Sequence, residues 1–170
     1  MILLGLGSNL PSTFGDRFKN IELAIDALNG YGIMVKKQSS YYESLSYPNK
    51  TEPKFINVVI EVESDLPPVD LASVLIFIEQ SLERKREKKN EPRTCDIDII
   101  DYKNQVLVFK YQNQEFKVPH TSLTKRNFVL YPLHEIFPHW RHPETKELIT
   151  SLLDKLSNED KNSILKIQKP

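Results

Sequence analysis

Long apolar runs are missing from this sequence. The longest, residues 1–4 and 74–78, fall far short of the roughly 20 residues that a membrane-spanning helix requires. Cysteine occurs once, at Cys95, so no internal disulfide can form. Its scarcity and a start without a basic leader segment give the expectation of a cytoplasmic protein. Charge of one sign is also lacking: 23 Lys and Arg balance 23 Asp and Glu, for a net charge of zero. A general nucleic-acid coat, which needs a strongly basic balance, is therefore disfavoured, although a local basic patch is not. Several familiar signatures are absent. Gly5-Leu6-Gly7-Ser8-Asn9-Leu10 lacks the last glycine of a dinucleotide fingerprint, and no GxxxxGK or GxSxG occurs. His134-Glu135 would open a zincin helix only with a histidine four residues after His134, where Pro138 stands. What remains is 170 residues, enough for one domain that buries roughly 70% of its unfolded surface. It is expected to act as a monomer on small molecules, without nucleic-acid or membrane partners.

The apolar pattern divides the chain into elements. Residues 2–6 read as a strand that runs into Gly7-Ser8-Asn9. After Asp16, Phe18, Ile21, Ile25 and Leu28 recur at helical spacing until Gly30. Residues 33–43 read as a strand and 44–54 as a long loop. In 55–63 the alternation is clean: Ile56, Val58, Ile60 and Val62 share one face, and Phe55, Asn57 and Val59 the other. Pro67 and Pro68 open a helix with Leu71, Val74, Leu75, Ile78 and Leu82 on one stripe. A charged segment, 83–93, precedes a strand at 94–100. This order, βαββαβ, predicts an α+β fold: a ferredoxin-like antiparallel sheet with helices on one face. Additions follow, as a hairpin around residues 111–114 and a helix at 148–156. The expected division is a domain at 1–156 and a loosely held polar tail at 157–170.

Four groups of residues carry candidate chemistry. Asp96 and Asp98 are two apart on a strand, so their carboxylates share a face while Cys95, Ile97 and Ile99 point to the core. At about 6.5 Å between Cα atoms they repel by about 2.5 kcal/mol at an effective dielectric of 20. A divalent cation reverses that sign, and oxygen ligands favour Mg²⁺ with phosphates completing its shell. The plainer alternative is a solvated edge strand. Arg84, Lys85, Arg86, Lys88, Lys89 and Arg93 come directly before this pair, six bases against three acids in the segment. They suit a polyphosphate or simply a solvated loop. Phe55 and Asn57 place an aromatic plane beside an amide, fit to stack on a flat heterocycle and bond its edge, or to fill core and end a ladder. His120 and Arg126-Asn127-Phe128 could meet an anion, or form a turn followed by a cap. Cys95 is expected to be inert, and His139 and His142 to lie on the surface.

In chain order these pieces are Leu6-Gly7-Ser8-Asn9-Leu10, Gly15-Asp16-Arg17, Phe55-Ile56-Asn57, Ile78-Glu79 and Arg84-Lys85-Arg86. Then come Pro92-Arg93-Thr94-Cys95-Asp96-Ile97-Asp98-Ile99, Val118-Pro119-His120, Arg126-Asn127-Phe128-Val129-Leu130, Pro132-Leu133-His134-Glu135-Ile136 and His142-Pro143. Together they resemble the 6-hydroxymethyl-7,8-dihydropterin pyrophosphokinase family of folate biosynthesis, over residues 3–153. The resemblance implies transfer of a diphosphoryl group from ATP to the pterin hydroxymethyl group, with release of AMP. It also implies that Asp96 and Asp98 bind two Mg²⁺ ions and that Phe55 and Phe128 sandwich the pterin. Asn57, Ser44 and Leu45 would read the pterin edge, and Tyr47 would cover it. Arg84, Arg93, His120 and Arg126 would face phosphate oxygens, with Glu79 and Arg86 on the nucleotide side. Arg84, Arg93, Asp96 and Asp98 would be the catalytic set. The proton of the hydroxyl would pass to Asp96 or be released by metal activation alone. The loops 44–54 and 83–93 would close over the substrates.

The chain departs from the family pattern at Glu83 and Glu91, where glycine is usual, and at Asn90, near a usual tryptophan. Ile76 and Thr121 also differ, and Pro11-Ser12-Thr13-Phe14 reads as an insertion. Two other readings stay open on sequence alone. One is an RNA-binding module of the same fold, which the acidic sheet positions Asp96, Asp98, Glu61 and Glu63 disfavour. The other is a pterin- or nucleotide-binding scaffold without turnover.

Overall fold

A computed structural model describes residues 1–85 and 90–170. Its centre is the alternating apolar segment β4 (Phe55–Glu63), which pairs antiparallel with β1 (Ile2–Ser8) on one side. The other side of β4 is shared by β2 (Met34–Gln38) and β3 (Tyr41–Ser44). β5 (Asp96–Tyr102) lies beyond β1, so the sheet runs β5, β1, β4, β3 and then a last strand, β8 (Ile164–Ile167). The single strand expected over 33–43 is thus two. Ser39 breaks it: its N–H donates to the Val59 carbonyl and its Oγ accepts from the Val59 N–H, so side chain and backbone together replace a ladder step. β2 takes the far half of β4 and β3 the near half, by Phe55 and Asn57.

Two helices cover one face, as the apolar stripes require. α1 (Arg17–Asn29) is capped by Asp16, whose side chain accepts from the Lys19 N–H, and buries Phe18, Ile21, Ala24 and Leu28. α2 (Pro68–Ser81) starts at a proline, whose missing N–H costs nothing in a first turn, and buries Leu71, Leu75 and Ile78. These pack on Leu4, Leu6, Ile56, Val58, Ile60, Ile97 and Ile99. The βαββαβ core is therefore ferredoxin-like, in an α+β fold.

The two helices of the ferredoxin-like core keep to one face as expected, and the C-terminal additions take the other. α3 (Asn127–Ile136) and α4 (Ile149–Asp154) cover the opposite face, packing Val129, Leu130, Leu133, Trp140, Ile149 and Leu152 on Leu3, Val59 and Ile100. Arg126 is the N-cap residue of α3, which begins at Asn127, and Pro132 inside it masks the helix in the sequence. Its buried residues 129, 130 and 133 nevertheless keep helical spacing.

The hairpin forms as expected, as β6 (Leu107–Tyr111) and β7 (Gln114–Val118), with Gln112 and Asn113 at φ of 50° and 62° in the tight turn. Residues 157–170 are not a loose tail. They form α5 (Asn158–Asn162), capped by Ser157, and β8, which pairs with β3 from Tyr41↔Ile167 to Ser44↔Ile164. No helix among the described residues is long and apolar enough to cross a membrane.

Candidate active site

β1, β4 and β5 bring the candidate residues together on the face that also carries α3. Register places Gly7 between Asn57 of β4 and Asp96 of β5, and Gly5 between Val59 and Asp98. Glycine at position 7 keeps the approach open: a Cβ there would lie 3.3 Å from Asn57 Oδ1, a tight contact, and 3.4 Å from the Phe55 ring. The Ile100 side chain covers Gly5, so the open floor is at Gly7, with an aromatic and an amide on one side and Asp96 on the other.

Each aspartate faces arginines. Arg84 Nη1 lies 2.8 Å from Asp96 Oδ1 and also pairs with Glu79, which sits in the last turn of α2, Arg84 following just beyond it. Arg84 and Glu79 are 9% and 2% exposed, so this is an interior pair. Arg93 Nη1 reaches Asp96 Oδ2 at 3.3 Å, and Arg126 Nη1 reaches Asp98 Oδ2 at 3.3 Å. His120 Nε2 is 3.3 Å from Arg126 Nη2, while its Nδ1 accepts from the Ser122 N–H.

The electrostatics separate the two acids. Burial alone would raise the Asp96 carboxyl, but Arg84, then Arg93, outweigh it and hold it below its ordinary value. Asp98, with one arginine partner, is raised to about 6, by burial first and by the Asp96 charge second. The pair with Arg126 works against that rise and does not cancel it. His120 is held below its ordinary value by burial and by Arg126.

The same arginines flank the aromatic rings. The Arg93 guanidinium carbon is 5.9 Å from the Phe55 ring centroid, and that of Arg126 is 5.6 Å from Phe128. Asn57 donates from Nδ2 to the Tyr42 carbonyl (3.1 Å) and to Ser44 Oγ (2.9 Å), which turns its Oδ1 toward Gly7. Leu45 is half-buried at the start of the following loop, and Tyr47 in that loop is 80% exposed. Arg86, with Lys88 and Lys89 of the basic run, lies outside the described residues.

Further residues support the site. Asn9 ties three segments: its Oδ1 accepts from the Arg93 N–H, its N–H donates to the Arg93 carbonyl, and its Nδ2 donates to the Pro53 carbonyl. Glu135 of α3 accepts from the Ser40 N–H and the Tyr42 hydroxyl and sits below its ordinary carboxylate value, as those bonds overcome burial. Asp101 is buried and accepts from Trp140 Nε1 at 2.9 Å. None of these was a candidate above, because each role depends on a partner distant in sequence. His142, expected at the surface, is buried, and its Nδ1 accepts from the Glu144 and Thr145 N–H groups. Cys95 is buried as expected, and burial pushes its thiol up to about 12.

One departure from glycine in the charged segment, Glu83, keeps a backbone conformation that glycine favours. Glu83 has φ of 68° and Asn90 of 61°, the left-handed region that glycine enters freely. Glu83 is held there by Thr13 of the inserted turn, whose N–H and Oγ1 donate to its carboxylate at 2.6 and 2.9 Å.

The family model for 7,8-dihydro-6-hydroxymethylpterin-pyrophosphokinase (HPPK) matches residues 3–138. The chain belongs to this family. It is 38% identical over 142 residues to a 2-amino-4-hydroxy-6-hydroxymethyldihydropteridine pyrophosphokinase of Aquifex aeolicus, covering 84% of this chain and 83% of that one. It is 34% identical over 155 residues to the protein of that name in Synechocystis, covering 91% and 75%. A folic acid synthesis protein of Schizosaccharomyces pombe is 34% identical over 157 residues, but the chain spans only 20% of its length. Among solved structures, Plasmodium falciparum HPPK-DHPS with pteroate superposes with a TM-score of 0.70 at 13% identity, over 91% of this chain and 44% of that one. That likeness bears on the fold alone. The HPPK-family protein is thus an ATP-dependent pyrophosphokinase of folate synthesis, acting on 6-hydroxymethyl-7,8-dihydropterin.

Proposed function

We propose that the paired aspartates and the arginines around them form the phosphate half of the active site, and that Phe55, Phe128 and Asn57 form the pterin half. The observation that carries this is the double role of two arginines: Arg93 joins Asp96 to Phe55, and Arg126 joins Asp98 to Phe128. A ligand with a flat ring at one end and phosphates at the other matches that layout. The pterin lies between Phe55 and Phe128. Asn57 Oδ1 accepts from a ring N–H, since its Nδ2 is already engaged. Ser44 and Leu45 complete the edge, and Tyr47 covers it from the loop.

Arg84, Arg93, His120 and Arg126 bind the ATP phosphates, and Glu79 orients Arg84 from the nucleotide side. Asp96 and Asp98 suit two Mg²⁺ ions: both are oxygen donors, Asp96 is held ionised, and substrate phosphates supply further ligands. When bound, the metal offsets charge on the transferred group and on departing AMP. The pterin hydroxymethyl oxygen bonds to the β-phosphorus of ATP while the bond from that phosphorus to the α,β-bridging oxygen breaks. That oxygen leaves on AMP, and the hydroxyl proton goes to solvent or to Asp96. Phosphoryl transfer needs chiefly alignment and neutralised charge, which are the roles of these residues. We read the protein as a monomer of the cytoplasm, where a lone buried cysteine such as Cys95 stays reduced.

Product chromatography tests the reading. Incubation with ATP, Mg²⁺ and reduced 6-hydroxymethylpterin should give AMP and pterin diphosphate in equal amounts, and chelator should stop both. Formation of ADP would overturn the assigned reaction. Pterin binding without turnover would leave only a scaffold.

A further inference from the structure

The family match ends at residue 138, yet a later segment meets three of the four elements of the pterin half: β3, the 45–54 loop and α3. β8 pairs with β3 so that Ile164 is opposite Ser44. In α5, Glu159 forms an ion pair with Lys50 of the loop that carries Leu45 and Tyr47. Asn127 precedes Phe128, is 8% exposed, and donates from Nδ2 to the Asp160 carbonyl at 2.8 Å and to Ser163 Oγ at 3.2 Å. Lys166 of β8 pairs with Glu135 of α3 at 3.5 Å, the same carboxylate that holds Ser40 and Tyr42. By contrast, among the described residues no hydrogen bond or ion pair of Arg84, Arg93, Asp96, Asp98, His120 or Arg126 reaches residues 157–170.

We propose that residues 157–167 are a brace for the pterin half: they fix Ser44, the 45–54 loop and Phe128 relative to one another, with Asn127 as the positioning residue, and so set pterin affinity separately from ATP affinity. This rests on the pterin assignment above. The physical basis is entropic. Two aromatic planes grip a ring only at one spacing, and Phe55 and Phe128 come from β4 and α3, which are not joined by a short connection. α3 already packs on Val59 of β4, and a segment bonded to both the β3 edge and the start of α3 further restricts their relative freedom before the ligand arrives, which lowers the cost of binding.

The test uses the full chain and two ligands, measured separately by calorimetry: 6-hydroxymethyl-7,8-dihydropterin in the presence of α,β-methylene ATP, and α,β-methylene ATP alone. Asn127→Ala should weaken pterin binding about fivefold to tenfold, as loss of a buried hydrogen bond allows. ATP-analogue binding should change by less than about twofold. Amide exchange in β8 should quicken. Equal weakening of both ligands, or unchanged pterin binding with faster exchange in β8, would overturn the brace. Should Asn127→Ala fail to fold, the exposed Lys50–Glu159 pair serves instead. Glu159→Lys should weaken pterin binding by up to about fivefold, and adding Lys50→Glu should restore it. Absence of rescue overturns the proposal. If the unaltered protein binds the ATP analogue but no pterin, the pterin assignment itself fails and the brace with it.

Discussion

Arg84→Met separates what this side chain does for folding from what it does for phosphate. Arg84 lies in the interior between Glu79 and Asp96. Methionine leaves the Glu79 carboxylate, 2% exposed, without this cation. Breaking one side of a buried ion pair costs about 3–5 kcal/mol. The lower end applies, because Asp96 is partly exposed and keeps Arg93 at 3.3 Å. At about 2–4 °C per kcal/mol for a chain of this size, the melting temperature should fall by about 6–12 °C. Adding Glu79→Gln removes that carboxylate's charge, and the double variant should melt within about 3 °C of the parent, since replacing both members of a buried pair is often nearly neutral. Turnover should behave differently. Loss of a charge-assisted phosphate contact, about 1.5–3 kcal/mol, lowers kcat/KM for ATP about tenfold to a hundredfold in both variants. Calorimetric melting and initial rates of AMP release read the two effects apart. A single variant that melts within about 2 °C of the parent would refute the buried-pair reasoning. A double variant with restored turnover would refute a direct role for Arg84 on phosphate.

Further outcomes follow from other contacts. Asp98→Asn should abolish metal-dependent turnover yet stabilise the metal-free protein at pH 7. The carboxyl is raised from 3.8 to about 6 in the fold, so the parent loses stability as pH rises through that window, and the two melting curves should converge below about pH 4. At position 83, where φ is 68°, Glu83→Ala keeps the strain and loses Thr13, whereas Glu83→Gly loses Thr13 but relieves the strain. Glycine should therefore be more stable than alanine by about 1 kcal/mol in urea titration, and a reversed order would sink the argument. Trp140→Phe removes the donor to buried Asp101 and should cost about 2 kcal/mol with kcat unchanged. A drop in kcat beyond the loss of folded protein would mean that this face of β5 is coupled to the site.

Local periodicity was enough for much of the molecule. The alternation in 55–63 marks β4 because successive side chains on a strand must take opposite faces, and the same rule puts Asp96 and Asp98 side by side. Asp16 and Gly30 bracket α1, and Pro67 and Pro68 open α2, because caps and prolines act within one turn. The motif strings around residues 92–99 and 118–136 identify the family without any fold at all. Other features have no local sign. Ser39 splits a strand only because Val59 lies across from it. α3 and α4 cover the second face because Leu3, Val59 and Ile100 from three strands expose an apolar surface there. Glu135 serves Ser40 and Tyr42 across 95 and 93 residues, and β8 finds β3 across 120 or more. A spacing rule reports which residues share a face. Which distant segment covers that face depends on the balance of chain entropy and burial over the whole molecule, and no window of sequence contains that balance.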